Sequence, residues 1–222
     1  MTATDTSTAY TGPDSPVRLT GRLDPPLSRW LWLVKWVLSI PHYIVLFFLW
    51  IAVVAVTIYA FFAILFTERY PRGAFDFNVG VLRWTWRVAF YGYSALGTDR
   101  YPPFSLDPAP DYPATLEIDY PERLSRGLVL VKWWLLAIPH YLVLAALVGA
   151  SDYFPGLAGL LVLFAAVVLL FKDRYPGNIF DLVMGANRWA FRVVAYAMLM
   201  RDEYPPFRLD QGPTEPGTGS TS

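Results

Sequence analysis

The stretch FDFNVGVLRWTWRV at residues 75–88 recurs as FDLVMGANRWAFRV at residues 180–193, and its reading decides the fold. In the later copy Asp181, Gly185, Arg188 and Arg192 follow one another at spacings of four, three and four, which puts them in one narrow stripe along a helix. Asp76, Gly80, Arg83 and Arg87 repeat that stripe in the earlier copy. Each stripe predicts a helix that is apolar except along one line, the second running from about Ile179 to Met200. Three charges per helix would be expensive at mid-membrane, where each Arg or Asp costs about 2.5 to 3.5 kcal/mol on insertion scales. An interfacial helix avoids that cost, and Trp84, Trp86, Trp189 and Phe191 are residue types that settle at headgroup level.

Outward from the stripes, further motifs recur in the same order. Ile40-Pro41-His42-Tyr43 and Arg69-Tyr70-Pro71 precede the first, and Tyr101-Pro102-Pro103-Phe104 with Leu106-Asp107 follows it. Ile138-Pro139-His140-Tyr141, Arg174-Tyr175-Pro176 and Tyr204-Pro205-Pro206-Phe207 with Leu209-Asp210 frame the second. Order and spacing together indicate duplication and fusion of one unit of roughly 100 residues. The expected organisation is a disordered tail over residues 1–16, repeats over 17–110 and 111–210, and a second disordered tail over 211–222.

These doubled elements, with Arg-Trp-x-x-Arg-Val and Asp-x-Tyr-Pro-Pro-Phe, resemble the bacterial integral-membrane family catalogued as domain of unknown function 4389, over about residues 17 to 210. The resemblance implies a membrane protein and brings no activity, cofactor or catalytic residue with it.

Composition points the same way. Charged residues make up 16% of the 222, apolar residues 55%, and there are 9 Trp and 14 Tyr. Eighteen basic residues balance eighteen acidic ones, which argues against a nucleic-acid binder. Cysteine is absent, removing disulfides, thiolate metal sites and cysteine nucleophiles. No charge lies between Lys35 and Glu68, and only Asp152 between Lys132 and Lys172. A helix needs about 20 apolar residues to cross the hydrocarbon core, so each tract is long enough for a short helical hairpin. In the second repeat the hairpin divides at a breaker-rich loop, residues 149–156, between helices at 124–148 and 157–172. The first tract has no Gly and only Pro41, so a turn near Trp50–Val56 rests on analogy; an interfacial helix ending at Ile40 followed by one span from Pro41 to Phe66 is the alternative.

The fold class expected is thus an all-α polytopic membrane protein of two tandem pseudo-repeats, each a transmembrane helical hairpin plus an amphipathic interfacial helix, with short β-strands on the cytoplasmic side. Strands are expected at the start of each repeat, Val17–Leu23 and Thr115–Tyr120, pairing with Phe104–Asp107 and Phe207–Asp210. Two hairpins put every Lys and Arg on one side, so both termini face the cytoplasm of an inner-membrane protein by the positive-inside rule.

Two constellations carry candidate chemistry. His42 and His140 occupy equivalent positions after a proline, which suits a proton relay or a two-histidine metal site, or else an imidazole bonded at a Pro kink or seated at the interface beside Tyr43 or Tyr141. The stripe residues Asp76, Arg83, Arg87, Asp181, Arg188 and Arg192 could hold a lipid phosphate or a partner protein, or pair with one another within the fold. No phosphate loop, zinc motif or nucleophile elbow occurs, so no catalytic residue, metal or cofactor is expected. The expected partners are membrane lipids, a membrane protein or a second copy. The function expected is a non-enzymatic lipid-headgroup- or partner-binding component, with a small transporter or proton-coupled carrier as the alternative.

Overall fold

The computed structural model describes residues 15–148, 156–172 and 175–210. The expected terminal tails, apart from Ser15 and Pro16, and the loop at 149–155 lie outside them. In chain order the elements are β1 (Val17–Gly21), a 3-10 turn at Leu31–Leu33, α1 (Lys35–Thr67), α2 (Arg72–Tyr91), β2 (Ala114–Ile118), α3 (Arg126–Val131), a π-helical turn at Lys132–Leu136, α4 (Ile138–Val148), α5 (Leu157–Lys172) and α6 (Gly177–Ala197).

The strands at the start of each repeat pair with each other. β1 runs antiparallel to β2 with Leu19 opposite Leu116 and Arg18 opposite Glu117, and the alternating apolar residues of both strands are buried. The segments Phe104–Asp107 and Phe207–Asp210, expected as strands, are bends instead. Their Pro-Pro turns leave few free donors for a ladder, and arginine side chains take carbonyls of both segments. β2 of the second repeat packs on α2 of the first, and β1 of the first on α6 of the second, so the repeats have exchanged strands.

α2 and α6 form the middle of three layers, joined by edge-to-face contacts of Trp86 on Phe191 (ring centroids 5.6 Å apart) and Phe90 on Phe180 (6.1 Å). The helical period explains how α2 serves two neighbours. Asn78 and Thr85 point to α1, where Asn78 Nδ2 donates to Thr57 Oγ1 (3.3 Å) and Thr85 Oγ1 accepts from Trp50 Nε1 (3.2 Å). Arg83, Arg87 and Phe90, about half a turn away, point to the sheet and its loops. The striped helices are therefore covered by protein on both sides. Trp84, Trp86 and Trp189, expected at headgroup level, are core residues with 5%, 0% and 2% exposure. Core packing and interfacial anchoring ask for the same aromatic residues at the same helical spacing, so the pattern alone does not separate them.

The outer layer is α1 with α3, α4 and α5. The turn expected near Trp50–Val56 does not occur. With no Gly, no charge and no Pro beyond Pro41, nothing interrupts the hydrogen-bond ladder, and α1 runs for 33 residues, about 50 Å, until Glu68 adopts a left-handed conformation. Its buried positions, among them Ser39, His42, Leu46, Val53, Ala60 and Ile64, recur every three, four or seven residues along one face. The opposite face exposes Phe47, Phe48, Ile51, Tyr59 and Phe66. In the second repeat the chain does fold back, α4 packing against α5 as the breaker-rich loop foretells. Two stretches, Lys35–Thr67 and Arg126–Ala145, are long and apolar enough to cross a membrane by length and composition.

The π-helical turn has a readable cause. Seven residues separate Lys35 from His42, whereas eight separate Lys132 from His140. A π turn absorbs one extra residue in a helix without shifting the turns beyond it, so both lysines and both histidines reach equivalent neighbours. Deleting Leu135 should convert the π turn to regular α-helix and leave the thermal midpoint within a few degrees of the parent. Deleting Leu142, beyond the compensating turn, should lower it sharply in the same unfolding experiment.

Candidate functional site

Each repeat builds the same three-part device where the loop after its striped helix closes over the start of its apolar helix. The first part is an anchor. Lys35, at the head of α1 with a side chain only 2% exposed, reaches Asp99 (2.9 Å) and the Thr98 carbonyl (2.7 Å) and lies over the Tyr91 ring. Lys132 matches it with Asp202 Oδ1 (2.6 Å), the Arg201 carbonyl (3.0 Å) and Tyr196. Each carboxylate also accepts a backbone N–H, from Ser28 (2.5 Å) ahead of the 3-10 turn or from Ser125 (2.6 Å) at the N-cap of α3. A lysine buried to this degree is tolerable only because it is paired and bonded.

The second part is a clamp on the histidine. His42 stacks on Phe104 at 3.9 Å and 15°, meets Tyr101 at 4.8 Å, and accepts a hydrogen bond at Nδ1 from Trp84 Nε1 (3.1 Å). His140 stacks on Phe207 at 4.3 Å and 17°, with Tyr204 at 4.6 Å and Trp189 at 5.5 Å. The Ile-Pro-His-Tyr and Tyr-Pro-Pro-Phe motifs are thus two halves of one aromatic contact. Pro41 lies inside α1 and Pro139 is the second residue of α4, and neither imidazole that follows them bonds a carbonyl. No group of three or more metal-ligating side chains occurs among the described residues.

The third part is the arginine stripe. Arg83 donates to the carbonyls of Leu116 and Leu106 (both 3.1 Å), and Arg87 to those of Asp107 (3.0 Å) and Ser105. Arg188 donates to the carbonyls of Leu19 (2.9 Å) and Asp210 (2.6 Å), while Arg192 pairs with the Asp210 carboxylate (2.6 Å). Burial draws the Arg83 and Arg87 guanidiniums down from their ordinary pKa, and the carbonyls around them offset that cost. Gly80 and Gly185 admit the loop: a Cβ at Gly80 would sit 2.9 Å from Leu106 Cβ, and one at Gly185 3.2 Å from Leu209 Cβ. Asp76 stands apart on the exposed side, bonded to Arg72 one turn earlier, and Asp181 is half-buried early in α6.

The family model for the domain of unknown function (DUF4389) matches residues 29–105 and 130–208. The chain belongs to the DUF4389 family. No curated protein and no solved structure matches it. Both DUF4389 segments contain an anchor lysine, a histidine, an arginine stripe and a Tyr-Pro-Pro-Phe clamp, and both leave out the strand that precedes them.

In the sequence Lys35 and Lys132 stand out only as the edges of apolar tracts, and nothing local marks Asp99 or Asp202 as their partners. A signal was present: Leu-Val-Lys-Trp recurs at residues 33–36 and 130–133, and Asp-x-Tyr-Pro-Pro-Phe recurs downstream. Chemically, the device fastens loops to helices and presents no nucleophile beside a base. Lys132→Met should cost about 3 kcal/mol in chemical denaturation by orphaning the Asp202 carboxylate, with much of the loss recovered in Lys132→Met/Asp202→Leu. Arg83→Gln should lower stability by about 1.5 to 3 kcal/mol, since hydrogen bonds from a charged donor to two carbonyls are lost.

Proposed function

We propose that this DUF4389 protein is a non-enzymatic membrane component, attached through the outer face of α1, α3, α4 and α5, with its sheet and arginine-held loops turned to the cytoplasm as the side available to headgroups or a protein partner. The observation that carries this reading is the outer face itself. Phe47, Phe48, Phe62, Leu142, Phe164 and Phe171 are each more than half exposed, and they belong to one layer. An apolar surface of that kind marks a membrane or interaction face. Exposed Trp30, Trp36, Trp133 and Trp134 flank the two anchor lysines, suiting the polar boundary of a bilayer.

The layering bears on how α1 meets the membrane. Its middle stacks over the middle of α2, and the sheet covers the other side of α2 with the charged Arg18, Glu117 and Asp119 exposed or half-buried. If α1 stood across the bilayer, those charges and both open sheet edges would lie near mid-membrane depth, where insertion scales penalise Asp and Arg by about 2.5 to 3.5 kcal/mol apiece. An α1 lying along one leaflet keeps them in water. α5, with 16 residues and thus about 24 Å, is shorter than the ~30 Å hydrocarbon core. In this reading the protein embeds in one leaflet, in place of the multi-pass arrangement expected from composition. Ser15 beside β1 and Asp210 on Arg188 both lie on the sheet side, which this reading turns to the cytoplasm.

The cysteine-free background permits a direct test. Single variants Ser28→Cys and Arg69→Cys, exposed polar positions flanking the two ends of α1, should both react with an impermeant maleimide from the cytoplasmic side of sealed vesicles, as should Arg18→Cys. Labelling of the two flanking positions from opposite sides would replace the in-plane geometry with a crossing. Failure of the intact protein to float with liposomes would remove the membrane reading altogether.

A further inference from the structure

Two adjoining cavities run along the side of α1 that faces the second repeat, one of about 450 Å³ and one of about 410 Å³, and Trp50 stands in the wall of both. Together they follow α1 from Tyr43 to Phe62, about 28 Å of helix, while a single acyl chain reaches across about half of the ~30 Å hydrocarbon core. The groove owes its existence to the asymmetry between the repeats. In the second, α5 folds back over α6. In the first, α1 runs on until the Glu68 carbonyl accepts the Leu124 N–H (2.9 Å) and its carboxylate pairs with Arg126 (3.1 Å), and no described residue fills the strip beside it.

The two ends differ in chemistry. The second cavity is lined by groups such as Val53, Ile58, Phe61, Met198 and Leu199, with Thr57 its one hydroxyl. The first includes Tyr43, Thr85, Tyr93, Ser94 and Asn187, and among the described residues no charged one lines either. Most of these polar groups already have their donors engaged. Thr85 donates to the Val81 carbonyl (2.8 Å), Tyr93 to that of Trp32 (2.6 Å), and the Asn187 amide nitrogen to those of Ser94 (3.1 Å) and Val183 (2.9 Å). What remains for a ligand is the Asn187 Oδ1 acceptor, with the Tyr43 and Ser94 hydroxyls in the same wall. A neutral hydroxyl, which both donates and accepts, suits such a wall, and without a lysine or arginine among its described residues a phosphate would be desolvated unpaired.

We propose that this groove binds one single-chain neutral lipid with a hydroxyl head, of the monoacylglycerol or long-chain alcohol class, the hydroxyl on Asn187 and the chain along α1 past Trp50. The site deepens the membrane reading and rests on it only for the supply of ligand, since the mouth of the groove, at Phe47, Val54 and Phe62, opens on the exposed apolar face.

The test uses the full chain, purified and delipidated in a short-chain detergent, with native mass spectrometry counting bound 1-monooleoylglycerol, methyl oleate and lysophosphatidic acid. One monooleoylglycerol per chain is expected. Methyl oleate, which lacks a donor, should bind about fivefold more weakly. Asn187→Leu should abolish that preference while still taking up methyl oleate. Ile58→Trp should fill the apolar end and abolish uptake of both; if it fails to fold, Val54→Phe occupies the same space. Unsaturable uptake that Ile58→Trp leaves unchanged, or preferred binding of lysophosphatidic acid, would overturn the proposal. Liposome flotation separates the two readings. A wild-type chain that binds monooleoylglycerol but does not float keeps the groove and loses the membrane reading, and a chain that floats but takes up none of these lipids does the reverse.

Discussion

Arg83 and Arg188 each reach from the middle of one repeat's helix to the middle of the other repeat's strand, and the fold depends on that crossing. Leu19 and Leu116 face each other in the sheet, and the backbone carbonyl of each is held by the arginine of the opposite half. A guanidinium placed at this depth is costly unless its donors are matched, and a strand carbonyl that has lost its partner is costly as well. Separating the halves would incur both penalties at once. The same arginines, with Arg87 and Arg192, also fasten the loops after the Pro-Pro turns, so one stripe per helix secures sheet, loop and neighbouring repeat together.

With the arginines drawn inward to one side of α2 and α6, the other side meets the apolar helices. The anchors Lys35 with Asp99 and Lys132 with Asp202 close the polar side where each apolar helix begins. Beyond them the repeats diverge. The second turns back, whereas α1 continues unbroken beside it, and the difference converts a pseudo-symmetric pair into a molecule with one long apolar helix and a groove along its flank. Duplication supplies two copies of the fastening device; the breakers present in only one copy supply the asymmetry.

Much of this was legible from local pattern. The repeat, the striped helices, the hairpin of the second copy and the opening strands all follow from periodicity, breakers and alternation, because these depend on backbone geometry within a few residues. Partners across the chain were not legible. Trp84 fits a headgroup belt as well as a core, and only its bond to His42 separates the two. Phe207 reads as the start of a strand until His140 is found lying against it. Lys132 reads as the boundary of a span until Asp202 is beside it. The single-residue offset between Lys-to-His spacings was visible in the chain, but its resolution by a π turn comes only from the need to bring both residues to fixed neighbours.

Taken alone, the amino-acid sequence determined that the protein is a duplicated, apolar, mainly helical chain whose charges lie in a repeated stripe, and its motifs determined the family. The tertiary structure decided what the stripe is for. Helical spacing dictates which residues share a face, but the surface that face meets depends on which distant segment supplies carbonyls, carboxylates or rings to it. Here β1 and β2, exchanged between the repeats, turn the arginines into internal fasteners and leave α1 free on its outer side.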